Sequence, residues 1–124
     1  MSRTGDEEKC VLVVDDDEDT RDVLRALLHG AGYRVETARD GKDALRVLEA
    51  GVAPSVIVLD MMMPRLDGAG FRAAQLADPR WRDIPVVAMS AFGAPRLEGI
   101  QAAFGKPFDF PDLEAAIARA CATA

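Results

Sequence analysis

Two stretches restrict the fold more than any others: Val11-Leu12-Val13-Val14 and Val56-Ile57-Val58-Leu59, each apolar throughout and each running straight into aspartate. A strand with one wet face alternates apolar and polar residues. An unbroken run of mostly β-branched residues instead suits a strand covered on both faces. Strands of that kind occupy parallel sheets, whose neighbours are joined by crossover helices. The second run delivers Asp60 at its carboxyl end, and Pro64 then turns the chain away.

The rest of the chain alternates accordingly. Val23, Leu24, Leu27, Leu28 and Ala31 form the stripe of an amphipathic helix closed by Gly32. Tyr33 to Ala38 reads as a short strand, and Asp40 as the N-cap of a helix carrying Ala44, Leu45, Val47 and Leu48, ended by Gly51. Asp67-Gly68 opens a helix over Phe71, Ala74 and Leu76 that Pro79 finishes. Ile84 to Met89 is another apolar strand with Ser90-Ala91 at its tip, and Ala102 to Gly105 a fifth. Asp109 caps a last helix with the stripe Leu113, Ala116, Ile117, Ala120 and Cys121. Five strands alternating with helices predict a flavodoxin-like, doubly wound parallel sheet with helices on both faces.

A chain of 124 residues fits one domain. Residues 1–9 read as a flexible N-terminal segment and 10–122 as the domain. The net charge of −6 speaks against direct contact with DNA or an anionic membrane. No apolar run approaches the ~20 residues of a membrane span. Cys10 and Cys121 have no metal-ligand spacing and read as buried, reduced thiols, which points to the cytoplasm. His29 has no partner in view and reads as a surface or half-buried side chain, not a catalyst.

In a parallel sheet all carboxyl ends share one edge, so Asp15, Asp16, Asp60, Ser90 and Lys106 are brought into one crevice. Three carboxylates side by side repel one another unless a cation sits among them, and an all-oxygen donor set suits Mg²⁺. A lysine and a hydroxyl opposite suit an anion brought up to that metal. A phosphoryl group attacked by a carboxylate answers to all of these, giving an aspartyl phosphate at Asp60. Asp17, Glu18 and Asp19 fall at a helix start, where acidic residues favour the dipole, and are left out of the site.

Asp15-Asp16 after the first strand, Asp60 with Pro64 after the third, Ser90-Ala91 after the fourth and Lys106-Pro107-Phe108 after the fifth together resemble a response-regulator receiver domain of two-component signalling. The resemblance covers about residues 10–122. It implies that Asp60 is the phosphoacceptor, and that Asp16, Asp60 and the backbone carbonyl of Met62 ligate Mg²⁺ while Asp15 acts through water. It implies that Ser90 hydrogen-bonds the phosphoryl oxygen, that Lys106 forms an ion pair with it, and that the Lys106-Pro107 bond is cis. Met62, Ala91, Phe92 and Pro107 would flank the site, with Met62 and Phe92 limiting water access. The implied partners are a histidine kinase or histidine phosphotransfer protein and a downstream effector protein. Such a domain is no enzyme in the ordinary sense; it promotes its own phosphorylation and slow dephosphorylation.

Two features depart from the family pattern. The chain from Ser90 to Lys106 is short by roughly one and a half helical turns, so the fourth helix, broken by Gly93, Pro95 and Gly99, is expected to be short or irregular. The family's switch aromatic stands three residues before the lysine, where this chain has Ala103; Phe104 one place later faces the other side of the sheet. The usual coupling of hydroxyl to aromatic is therefore expected to be absent, unless the register shifts to let Phe104 serve.

Two other function classes fail on their motifs. A haloacid-dehalogenase-type phosphatase needs Asp-x-Asp-x-Thr or Val, but the fifth place holds Asp19 or Arg21. A dinucleotide site lacks its Gly-rich turn after the first strand. A receiver-like interaction module independent of phosphorylation remains as the alternative. With no room for an output domain, the chain reads as a free-standing receiver whose signal leaves through protein contacts.

Overall fold

The unbroken apolar runs do fold as strands covered on both faces: Cys10–Val14, Val56–Asp60 and Val86–Ser90 are buried at every residue. The computed structural model describes residues 9–63, 65–90 and 99–123. In chain order the elements are β1 (Cys10–Val14), α1 (Glu18–Gly30), β2 (Arg34–Ala38), α2 (Gly41–Glu49), β3 (Val56–Asp60), α3 (Gly68–Ala77), β4 (Val86–Ser90), β5 (Ala102–Gly105) and α4 (Phe110–Thr123). Every strand pairing is parallel, in the order β2-β1-β3-β4-β5. The order reverses between β1 and β3, so the crevice for chemistry opens above that junction. This is the flavodoxin-like architecture that the alternation predicts.

Alternate residues of the strands feed two separate cores. Val11, Val13, Val56, Val58, Val87 and Met89 pack with Leu24 and Leu28 of α1 and with the α4 stripe Leu113, Ala116, Ile117, Ala120 and Cys121. Leu12, Val14, Ile57, Leu59 and Val86 pack on the other side with Ala44 and Leu48 of α2, Phe71 of α3 and Trp81. Cys10 and Cys121 are free, buried thiols, and burial pushes both pKa values up.

Several sequence expectations shift. In α1 only Leu24 and Leu28 are buried, whereas Val23 and Leu27 are 54% and 41% exposed, so the predicted stripe is twice as wide as the face that reaches the core. Ala31 lies beyond the last helical residue and caps it. Tyr33 precedes β2 because its N–H is already committed to the carbonyl of Leu28. Ile84 precedes β4 for a similar reason, its N–H closing a turn on Trp81. His29 is exposed, as its isolation implied.

In α3 the polar side chain of Gln75 is buried along with Phe71 and Arg72, while Leu76 is 45% exposed. The Gln75 amide donates to the carbonyls of Trp81 and Ile84, both at 2.9 Å, and its oxygen accepts from Arg72 at 2.8 Å. These carbonyls belong to the turn that leads into β4, so a polar side chain inside the protein replaces water for an irregular backbone. The predicted short fourth helix, Pro64, Ala91, Phe92 and residues 1–8 lie outside the described residues.

Gln75→Leu fills the same space but withdraws the amide donor from the carbonyls of Ile84 and of Trp81, the latter keeping the N–H of Ile84. It is expected to lower unfolding free energy by roughly 2–4 kcal/mol, measured by urea denaturation with an unchanged m-value.

Candidate functional site

Asp15 follows β1, Asp60 ends β3, Ser90 ends β4 and Lys106 follows β5, all at the same edge of the sheet. One carboxylate oxygen from each of Asp15, Asp16 and Asp60 lies within 4.8 Å of the others. Asp15 and Asp60 are buried and Asp16 is exposed, so the cluster is closed from below and open to solvent at one corner. Lys106 reaches in from the far end of the sheet, its Nζ 2.7 Å from Asp15 Oδ2 and 3.5 Å from Asp60 Oδ2. Its backbone N–H donates to the Ser90 carbonyl at 2.8 Å, fastening the exit of β5 to the end of β4. The Lys106-Pro107 bond is cis, as the resemblance implied. Ser90 is buried beside it, and Pro107 is exposed.

Asp15 is held at every polar group. Its N–H donates to Ala38, its carbonyl accepts from Arg21 Nη1 at 2.7 Å, and its carboxylate takes the N–H of Asp17 at 2.9 Å as well as Lys106. Asp17 itself is the N-cap of α1, accepting from the Thr20 N–H at 3.2 Å and the Thr20 hydroxyl at 2.6 Å. The hydroxyl contact holds its carboxyl below the usual range. Asp17, Glu18 and Asp19 therefore serve the helix start, as the sequence suggested.

The loop after Asp60 is fixed from α2. Arg65, with a left-handed φ of 65°, places its Nε 2.6 Å from Oδ2 of buried Asp40, while Asp40 Oδ1 caps α2 through the Asp43 N–H. Gly41 N–H donates to the Leu66 carbonyl at 2.9 Å, and a Cβ on Gly41 would stand 2.5 Å from that same oxygen. Only glycine permits this approach. Met62 donates its N–H to Asp60 Oδ1 at 3.2 Å, and the residue is 52% exposed.

Sequence reading located the clustered residues but missed Arg21 and the Asp40–Arg65 pair. Arg21 could have been found: it lies four residues beyond the N-cap, and long helical side chains lean back toward the N-terminus. No sequence signal announces the Asp40–Arg65 pair, whose members are 25 residues apart. Phe104 lies in register with Met89 and packs in the α1/α4 core, so no register shift moves it onto the face of Ala103.

Burial, followed by the charge of Asp15, pushes the Asp60 pKa up to about 6 in the cation-free protein, with the Met62 N–H, and Lys106 after it, pulling the other way. Burial opposes the Lys106 charge, but the hydrogen bond to Asp15 and the fields of Asp15 and Asp60 outweigh it and leave the lysine pKa raised. The donor set is all oxygen, strongly anionic and partly open, which fits a hard dication with room for water.

A parallel five-stranded sheet with carboxylates, hydroxyl and lysine at one edge matches a known family. The response regulator receiver domain family matches residues 11–118. The chain is 38% identical over 113 residues to "Probable transcriptional regulator ycf27" of Guillardia theta, covering 86% of this chain and 43% of that protein. It is 38% identical over 109 residues to "Response regulator MprA" of Mycolicibacterium vanbaalenii, covering 83% and 46%. The crystallised chemotaxis response regulator CheY4 of Vibrio cholerae superimposes with a TM-score of 0.82 at 28% identity, covering 92% of this chain and 99% of that one. The chain therefore belongs to the response regulator receiver domains of two-component systems. It spans under half the length of the ycf27 and MprA proteins.

Because the folded protein holds the Asp60 proton more tightly than the unfolded chain, this residue contributes no penalty below the usual carboxylate pKa of 3.8 and a growing one as pH rises through about 6. In EDTA, Asp60→Asn is expected to be more stable than wild type at pH 7.5 by about 1–3 kcal/mol, with the gap closing toward pH 4. Urea unfolding across that range measures it.

Proposed function

We propose that this receiver accepts a phosphoryl group on Asp60 from a phosphohistidine of a kinase or phosphotransfer protein, and that the acyl phosphate controls contacts with a downstream effector protein. The observation that carries the reading is the convergence of Asp15, Asp16 and Asp60 within 4.8 Å, with Lys106 against them. Residues 10–122 are taken as the receiver unit. A cytoplasmic location agrees with the two buried free thiols. Among the described residues no helix is long and apolar enough to cross a membrane.

In this mechanism an Asp60 carboxylate oxygen attacks phosphorus as the P–N bond breaks, and the histidine leaves as neutral imidazole once protonated. Asp15, Asp16, Asp60 and the Met62 carbonyl would hold Mg²⁺, which when bound screens the carboxylates and the phosphoryl oxygens. Ser90 donates its hydroxyl proton to a phosphoryl oxygen. Lys106, positively charged and already within reach of Asp60, pairs with another. The chain thus promotes its own phosphorylation without being an enzyme acting on other substrates.

The reading of a module indifferent to phosphorylation is not favoured, because family membership and the assembled carboxylate–lysine cluster both point to phosphoryl chemistry. The effector, not DNA, is taken as the direct partner of this domain. Its net charge is −6, and in relatives named as transcriptional regulators more than half the length lies outside the matched part.

Incubation with a small acyl-phosphate donor is expected to add one phosphoryl mass to wild type in Mg²⁺, and none in EDTA or in Asp60→Ala, by intact-mass spectrometry. A Mg²⁺-dependent adduct that persists in Asp60→Ala would remove Asp60 from its role. Exposed Met62, whose N–H bonds Asp60, is taken to limit water access to the acyl phosphate together with Phe92. Met62→Asn is expected to shorten the phosphoprotein half-life several-fold, and an unchanged half-life sinks that assignment.

A further inference from the structure

Arg21 follows the Asp15–Asp16 pair by five residues, on the first helix, and reaches back toward the acidic edge. Its Nη1 donates to the backbone carbonyl of Asp15 at 2.7 Å. That carbonyl belongs to the peptide joining Asp15 to Asp16, two of the three clustered residues. The Arg21 backbone N–H is fixed in turn by the Asp17 carbonyl at 3.0 Å, in the first turn of α1. The guanidinium therefore connects the start of a helix to a peptide plane at the end of a strand.

The direction of that peptide decides where the Asp16 carboxylate points. Asp15 is anchored on its other sides by Ala38, Asp17 and Lys106, whereas Asp16 is exposed and depends on the backbone for its orientation. A charged donor to a buried carbonyl is stronger than a neutral one and resists rotation of the peptide. Groups that orient metal ligands without touching the metal commonly govern affinity.

We infer that Arg21 is a positioning residue for divalent-cation binding, acting by locking the Asp15–Asp16 peptide so that Asp16 faces Asp15 and Asp60. The inference rests on the reading of Asp15, Asp16 and Asp60 as the cation site. It makes a prediction of opposite sign to simple electrostatics. A positive charge near a cation site opposes binding, so Arg21 acting through charge alone predicts that its removal tightens the site. Arg21 acting through the peptide predicts that its removal loosens it.

The test is Mn²⁺ binding, followed by the loss of the free-ion electron paramagnetic resonance signal, with Mg²⁺ competition, for wild type, Arg21→Met, Arg21→Lys and Arg25→Met. Arg25→Met removes an equal charge from the exposed Asp22 ion pair one turn further along α1 and gives the through-space effect. Arg21→Met is expected to weaken Mn²⁺ binding about 10- to 100-fold. Arg21→Lys, which keeps a charged donor, should recover most of that loss, and Arg25→Met should bind as tightly as wild type or slightly tighter. In phosphorylation from an acyl-phosphate donor, Arg21→Met should raise the Mg²⁺ concentration needed for half-maximal rate while leaving the maximal rate within a few-fold. Urea unfolding in EDTA checks that the variants are folded, and Arg21→Gln is read in place of an Arg21→Met protein that is not. Unchanged or tighter Mn²⁺ binding by Arg21→Met overturns the positioning role alone. Failure of wild type to bind Mn²⁺ or Mg²⁺ overturns the cation site itself, and the inference with it.

Discussion

Repulsion among Asp15, Asp16 and Asp60 is the constraint around which the site edge is arranged. Bringing three carboxylates within 4.8 Å at the mouth of a buried sheet costs free energy, and the chain offsets part of it with Lys106 from 91 residues away. That ion pair spans the sheet from β1 to β5, so charge balance at the site requires the whole strand order to be in place. Burial, together with the remaining repulsion, leaves Asp60 with a raised pKa and an affinity for added positive charge. Local instability and capacity for chemistry have the same origin here.

The scaffold resolves this by fixing everything around the carboxylates. The Asp15 backbone and side chain are fully engaged, the loop after Asp60 is strapped to α2 by Arg65 and Leu66, and β5 is tied to β4 beside Ser90. Each strap comes from a different element, so the crowded carboxylates can face the crevice while the backbone beneath them does not yield. Such support by surrounding structure is what lets a polar site persist at the edge of an apolar sheet.

The parts of this arrangement visible in the sequence are those set by local chemistry. Val11 to Val14 and Val56 to Leu59 could be nothing but doubly covered strands, and once they were parallel the carboxyl-end residues had to share an edge. The α4 stripe was equally plain because all five of its apolar residues are buried. Reading failed where tertiary contacts overrule periodicity. Val23 and Leu27 carry the spacing of a core face but look outward, beside Phe108 and Lys106, because a helix on a flat sheet buries a narrower stripe than one in a bundle. Nothing in the sequence marks Gln75, and it is buried because its amide serves the carbonyls of Trp81 and Ile84, six and nine residues further along. Arg65 and Asp40 are ordinary residues in sequence and become partners only through the packing of α2 against the β3–α3 loop.

The two cores deserve a last thought, since adjacent residues of a single strand, such as Leu12 and Val13, belong to different ones. Side chains in the α1/α4 layer and the α2/α3 layer are separated by the thickness of a backbone, and substitutions in one have few shared neighbours with the other. Natural variation can therefore rework one face of this domain while the opposite face holds its shape. The strands between them are common to both, and the acidic edge lies at their ends.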